Sequence, residues 1–347
     1  MTFTRRQALG ILAALPAGIV VGCSTASGSR VGEPTDRIST PLSATPEYRP
    51  APEPEPEPAP PHVEPLSPES SHWLPGPREI APEIKRTAAA FLETAGTWLA
   101  GTGAVGSLNA AGARESAAQT ATVLDTPDAI ASTLRMVYPQ YGGLAGHRAA
   151  VIALFDQDTE LVTGDRSTRQ IALDLRLSRS AEGAWGVDRI NPLTSLSPPV
   201  ALSYTAQSVL AEPRITLSGP AALDVSTGRI SDALLHVLLG LAREYTLAVQ
   251  VMHTGHIQTV FPTERTSNHA VGRAVDIREI NGINVVSREM PSDVVADFMQ
   301  RAAWLGATEV GGPFDLNGDR PGFFSDDVHQ DHIHVGITPG LALAHLR

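Results

Sequence analysis

The spacing of hydrophobic residues between positions 79 and 197 changes from a helical to a strand-like period. Apolar residues over 80–99 recur near the 3.6-residue repeat of a helix, which predicts one long helix there. A second helix is predicted over 125–138, because residues 125–127 supply a capping side chain and a first-turn proline.

Beyond a predicted chain break at Gly142 and Gly143, the chain alternates apolar and polar residues, as half-buried strands do. Helices followed by an antiparallel sheet resemble the NTF2-like (SnoaL-like) cone of exported proteins. The resemblance implies an accessory domain over 79–197, in which we find no catalytic constellation. The predicted strands cover 147–156, 160–163, 169–178 and 186–190.

The pattern over 223–347 mixes helical and strand-like periods, and 198–222 is interpreted as a connector. Ser231 or Asp232 can cap one helix with an apolar face, and Ser292 can cap another. The mixture predicts an α+β domain with a small sheet. The predicted helices cover 231–245 and 292–305, and the predicted strands cover 246–252 and 333–337.

The first 23 residues predict a bacterial export signal. Arg5 and Arg6 precede an uncharged apolar run over 8–21, shorter than the about 20 residues of a membrane span. The run ends at Cys23 in a pattern that resembles a lipobox, which implies a lipid anchor on that cysteine. The alternative is a plain signal peptide or an uncleaved anchor. The arginine pair also resembles a twin-arginine signal.

Residues 24–78 predict a non-globular spacer. They hold half of the 28 prolines of the chain, and proline alternates with glutamate over 52–58. Such a segment is extended and polyproline-like, with mutual repulsion of the carboxylates. We expect it to lift the folded part of the chain away from a membrane.

Composition narrows the possible chemistry. The formal net charge of −11 argues against a nucleic-acid partner, because phosphate binding needs a basic surface. A single cysteine permits neither an internal disulfide nor a cysteine-based zinc site, so a metal site must use His, Asp or Glu. Lys85 is the only lysine, which we attribute to base composition rather than to function.

The segment 267–277 combines potential metal ligands with a turn. Gly272 allows a sharp turn between His269 and Asp276. The residues around Asp276 alternate as in a strand, with Asp276 on one face and Val275 and Ile277 on the other. A carboxylate buried in this way needs a partner or a metal, and a neighbouring imidazole supplies a second ligand.

The segment 329–335 supplies further histidines. On a strand, His332 and His334 share a face, and Asp331 and Ile333 point the other way, unless Asp331 lies in the loop before the strand. One histidine can bind the metal while the other contacts the reacting group. A zinc ion with three protein ligands keeps a fourth position for water.

Together these segments resemble the LAS metallopeptidases, which include D-Ala-D-Ala carboxypeptidases, murein endopeptidases and the hedgehog amino-terminal domain. The pattern S-x-H-x-x-G-x-A-x-D is present at 267–276, and a closing H-x-x-H-x-H is present at 329–334. The resemblance covers about 225–340. It implies that His269, Asp276 and His334 bind Zn²⁺ and that His332 is the catalytic acid or base.

The sequence departs from the family where carboxypeptidases place a catalytic glutamate. Asp331 occupies that position, and it is the second candidate for proton transfer after His332. The family's substrate-binding arginine also has no clear counterpart. Candidates for substrate contact are Ser267, His256, Arg265 and His329.

The expected function is zinc-dependent hydrolysis of peptidoglycan stem peptides by a lipoprotein on the outer face of the cytoplasmic membrane. A zinc-containing lipoprotein that binds peptidoglycan without cleaving it is the alternative, because hedgehog domains use a LAS site for non-hydrolytic roles. A divalent metal other than zinc is a third possibility.

Overall fold

The computed structural model describes residues 72–99, 102–103, 115–191, 201–318 and 320–341. They belong to one compact unit, His62–Arg347. The predicted export signal, including Cys23, and most of the predicted spacer lie outside the described residues. In the described part of the chain, no helix has the length and apolar character required to cross a membrane.

The first region packs helices against an antiparallel sheet of order β1-β2-β3-β4. The apolar side of α1, including Ile84, Ala88 and Leu92, is buried against this sheet and explains why the periodic segment folds as a helix. Its elements are α1 (Pro82–Gly96), α2 (Glu115–Thr120), a 3₁₀ turn (Ala121–Leu124), β1 (Ala129–Ala145), β2 (Arg148–Leu161), β3 (Arg166–Arg179) and β4 (Trp185–Ile190).

The predicted helix over 125–138 is wrong. Pro127 lies in a turn, and most of the segment belongs to β1, in which Leu134 and Met136 are buried on either side of the exposed Arg135. This two-residue alternation fits a sheet, and β1 pairs with β2 from end to end. Tertiary pairing therefore outweighs the local capping signal.

Two other boundaries in this sheet also differ from expectation. Gly142 and Gly143 do not break the chain but lie within β1, where the pairing register shifts between Tyr141 and Gly143. The glycines accompany a bulge, as glycine inside a strand often does. The predicted strand 160–163 is not separate, because β2 continues to Leu161.

The second region is built on a mixed sheet of order β10-β9-β11-β7-β6-β5, with β8 paired to β7. The pairs β5–β6 and β9–β10 are parallel, and the other pairs are antiparallel. Its elements are α3 (Tyr204–Ala211), β5 (Ile215–Leu217), α4 (Gly219–Ser226), α5 (Asp232–Leu241), β6 (Leu247–Val251), a 3₁₀ turn (His269–Val271), β7 (Ala274–Ile280), β8 (Ile283–Asn284), α6 (Ser292–Trp304), β9 (Glu309–Gly311), β10 (Phe323–Phe324) and β11 (Ile333–Gly336).

The described part of the predicted connector, 201–222, is structured. Ser203 caps α3 by accepting the Ala206 N–H, and β5 pairs with β6 through Ile215 and Leu247. Short elements of this kind carry too few residues for a clear hydrophobic period. The helices at α5 and α6 and the strands at β6 and β11 are confirmed, but the expected capping is not. Pro291 rather than Ser292 holds the N-cap position of α6, and Ser231 at the N-cap of α5 makes no side-chain capping hydrogen bond.

The two regions pack directly against each other. Ile152 and Leu154 of β2 form one buried cluster with Val251 of β6. Polar contacts cross the same boundary, because Gln250 Nε2 donates to the Tyr138 carbonyl over 3.0 Å. The first sheet is therefore covered on one face by α1 and on the other by the second region.

We expect this shared boundary to make the two regions unfold together. Ile152→Ala removes a fully buried side chain from it and should lower the free energy of unfolding by about 2–5 kcal/mol. Unfolding in urea, monitored by hydrogen exchange of amides in each region, should show one common transition. The exposed Val162→Ala should have little effect. A second region that keeps its wild-type midpoint in Ile152→Ala would contradict the prediction.

Candidate metal centre

A tight turn places His269 at the base of a cleft. His269 begins the 3₁₀ turn that ends at Gly272, whose φ of 68° lies in the left-handed region. A Cβ atom on Gly272 would lie 1.9 Å from the Arg229 carbonyl oxygen, so only glycine fits. The expected sharp turn between His269 and Asp276 is therefore confirmed.

Two neighbouring strands present the other ligand candidates on one face. Asp276 of β7 lies directly opposite His334 of β11 in the antiparallel register. On the other face, Val275 and Ile333 enter the hydrophobic core. The expected strand parity is thus observed for Asp276 and His334, whereas Asp331 and His332 precede β11 and lie outside the strand.

The three residues expected to bind a metal bring one atom each to a common point. His269 Nε2 lies 3.1 Å from His334 Nδ1 and 3.2 Å from Asp276 Oδ1. His334 Nδ1 lies 3.1 Å from the same carboxylate oxygen. The atoms form a nearly equilateral triangle, and His269 and Asp276 are almost fully buried.

His256 lies beside this triangle. Its Nε2 is 3.4 Å from Asp276 Oδ2, and its ring stacks on that of His269 at 3.6 Å between centroids. His256, His269 and Asp276 form a buried group that can hold a metal ion. His256 thus contacts the Oδ2 oxygen of Asp276, whereas His334 contacts the Oδ1 oxygen.

Each of these side chains has an outer partner that orients it. His269 Nδ1 donates a hydrogen bond to the Met252 carbonyl at 2.5 Å, so Nε2 presents its lone pair to Asp276 and His334. Glu309 Oε1 lies 3.2 Å from His334 Nε2, and Gln140 Nε2 donates to Asp276 Oδ2 over 2.6 Å. Such outer contacts are typical of metal-binding histidines and carboxylates.

Burial and charge set the protonation of these side chains. Burial lowers the pKa of His269 to about 3, which keeps its imidazole neutral. Burial opposes ionisation of Asp276, but the histidines that surround its carboxyl hold the pKa of that group well below its usual range. Burial also disfavours charge on His334, yet bonds to Asp276 and Glu309 raise its pKa to about 10, so a metal ion that binds Nδ1 would have to displace a proton.

The two candidates for proton transfer form a pair. His332 is buried, and its Nε2 lies 3.7 Å from Asp276 Oδ1. Its Nδ1 lies 2.5 Å from Asp331 Oδ1. Asp331 therefore sits behind the imidazole and does not take the place of a cleft-facing glutamate.

A cleft of about 730 Å³ opens over the cluster between the two regions. The four candidates for substrate contact all line it, but with different surroundings. Arg265 is exposed, His329 Nδ1 lies 2.7 Å from Asp326 Oδ1, and buried Ser267 accepts the His269 N–H over 3.2 Å. Further lining residues come from the first region, namely Tyr141, Gly142 and Gly143.

Three residues that contact the metal-ligand candidates or Asp331 are not predicted from the sequence. Gln140 lies in a segment without a recognised motif, and Glu309 is a single acid on a three-residue strand. Lys85 Nζ contacts Asp331 Oδ2 at 2.5 Å from the first region. In the sequence, Lys85 is distinguished only as the single lysine of the chain, and base composition is not the explanation that its buried position supports.

The chain was compared with protein-family models, curated proteins and solved structures. No protein-family model matches the chain, and neither a curated protein nor a solved structure matches it significantly.

The turn at Gly272 yields a stability prediction. Gly272→Ala should lower the free energy of unfolding by more than about 3 kcal/mol, since left-handed strain of about 1–2 kcal/mol adds to the clash with Arg229. Gly282→Ala is the matched control, because Gly282 has a φ of 77° with open space around it. Equal losses in urea denaturation of the two variants would contradict the proposed close approach.

Proposed function

We propose that this protein is a zinc-dependent peptidase that acts on peptidoglycan peptides, with an NTF2-like region before a LAS-type domain. The observation that carries the proposal is the triangle of His269, Asp276 and His334, whose atoms lie 3.1–3.2 Å apart. A tetrahedral zinc ion with bonds of about 2.0–2.1 Å separates its ligand atoms by about 3.3 Å. The residues present therefore fit zinc.

Ring orientation favours His334 over His256 as the third ligand. The rings of His256 and His269 stack with only 11° between their planes. Their nitrogen lone pairs therefore lie in nearly parallel planes and do not converge on one metal ion. The ring of His334 is tilted by 56° to that of His269, and its Nδ1 meets the same carboxylate oxygen. We assign His256 to the outer contacts of Asp276 and to the cleft wall.

Zinc at this position would polarise a peptide carbonyl and acidify water. The chain itself supplies the proton-transfer group. Because the Asp331 carboxylate can only accept, His332 Nδ1 carries the hydrogen and Nε2 presents a lone pair toward Asp276. His332 Nε2 can then take a proton during attack and return it to the leaving amine.

The proposed substrate and location follow from the sequence resemblances and from the cleft. A groove of about 730 Å³ accommodates a short peptide, and Arg265 at its wall offers a positive charge for a carboxylate. The export signal, the lipid anchor expected at Cys23 and the spacer over 24–78 would hold the enzyme outside the cytoplasmic membrane, near peptidoglycan.

One observation favours a second candidate function. Asp331 is the acid at the family's glutamate position, and both of its carboxylate oxygens already have partners, Lys85 and His332. A zinc-containing lipoprotein that binds stem peptides without cleaving them is the function left if His332 does not transfer protons.

Metal analysis tests the ligand assignment. Purified wild type dialysed against zinc should retain one equivalent by elemental analysis, and His334→Ala should lower zinc affinity by more than about 100-fold, beyond the usual loss of an outer contact. His256→Ala should retain one equivalent. Zinc retention by His334→Ala with loss in His256→Ala would contradict the assignment, and preferential retention of another divalent metal would contradict zinc.

Muropeptide release from purified sacculi tests catalysis. Zinc-loaded wild type should release peptides, and a chelator should stop release. His332→Gln should keep its zinc but lower the rate by about 10²–10⁴-fold, the usual contribution of a general acid or base. Tyr204→Ala, at an exposed position on α3, is the control. Absence of release by zinc-loaded wild type would reject the peptidase and favour the binding protein.

A further inference from the structure

Lys85 occupies an unusual position at the boundary of the two regions. It lies on α1 and is fully buried, although lysine is almost never buried unless paired. Its Nζ contacts Asp331 Oδ2 at 2.5 Å and Tyr138 Oη at 3.0 Å, and it also contacts Glu79. The only lysine of the chain is therefore enclosed by two carboxylates and a phenol.

These contacts fix the orientation of the Asp331 carboxylate. Its Oδ2 accepts from Lys85 Nζ and from the Tyr141 N–H, which lies at 3.2 Å. The other oxygen, Oδ1, faces His332 Nδ1 at 2.5 Å. Both donors on Oδ2 come from the first region, so that region determines which oxygen is presented to the imidazole.

The orientation of Asp331 has a consequence for His332. An ionised carboxylate that accepts from Nδ1 fixes the imidazole tautomer and directs Nε2 toward Asp276. Burial would disfavour this charge, but Lys85 and His332 lower the pKa of Asp331 to about 2. Without the ammonium group, the carboxylate would be buried beside the imidazole with far less compensation.

We propose that Lys85 is a positioning residue for His332, acting through Asp331 across the boundary between the two regions. The first region is then part of the active site rather than an accessory. The inference rests on the proposed role of His332 in proton transfer.

A spectroscopic test separates positioning from stability. In protein labelled with ¹⁵N-histidine, the His332 Nδ1 proton should give a resonance far downfield of the amides, assigned by its loss in His332→Gln. Lys85→Met should remove this resonance and lower kcat on stem peptides by about 10–100-fold, with zinc content and KM unchanged. Glu93→Gln is the matched control, since Glu93 is buried on the same helix but contacts His72 and the Trp73 N–H.

The outcomes test the positioning role of Lys85 and the peptidase activity separately. A retained resonance and a wild-type kcat in folded Lys85→Met would overturn the positioning role, as would equal losses in Glu93→Gln. If Lys85→Met fails to fold, Asp331→Asn replaces it, because Lys85 then keeps Glu79 as a partner. Retention of the resonance and of kcat in that variant would equally overturn the role. If wild type cleaves nothing, the peptidase proposal fails, and the resonance alone still decides on Lys85.

Discussion

The buried carboxylate of Asp276 is the constraint on which the candidate site depends. It is 1% exposed, and a charge so far from water must be satisfied by protein groups or a metal. Its contacts come from several separate stretches of chain: Gln140 on β1, His256 and His269 in the loops, and His334 on β11. The fold brings these stretches together, and none of them could stabilise the charge alone.

The second constraint is the boundary between the two regions. Gln140 reaches Asp276, and Lys85 reaches Asp331, so the first region supports both a candidate ligand and the partner of His332. Replacing a buried ion pair by apolar residues is often neutral or stabilising, so stability alone does not account for a lysine in this position. Orientation of a functional group is the better explanation, because the pair ends on an imidazole that lines the cleft.

Sequence reasoning found the ligand candidates because their signals are local. The spacing around Gly272 and the alternation near Asp276 and His334 are properties of a few adjacent residues, and the structure places them as expected. It failed at β1, where Asp125 and Pro127 suggested a helix start but pairing with β2 decides the conformation. Lys85, Gln140 and Glu309 were missed for a related reason, since each acts through a contact with a distant part of the chain.

The position of Asp331 explains why metal binding and catalysis are separate questions here. A glutamate facing the cleft could act as a base by itself, whereas this aspartate is 2% exposed and sits between Lys85 and His332. If the proposed reaction takes place, the charge of Asp331 would act on it only through the imidazole, in the way that the aspartate of a Ser-His-Asp triad acts through its histidine. In the proposed mechanism the histidine is therefore the base, and the shorter acid behind it only orients that histidine, while a third residue, Lys85, fixes the position of the acid.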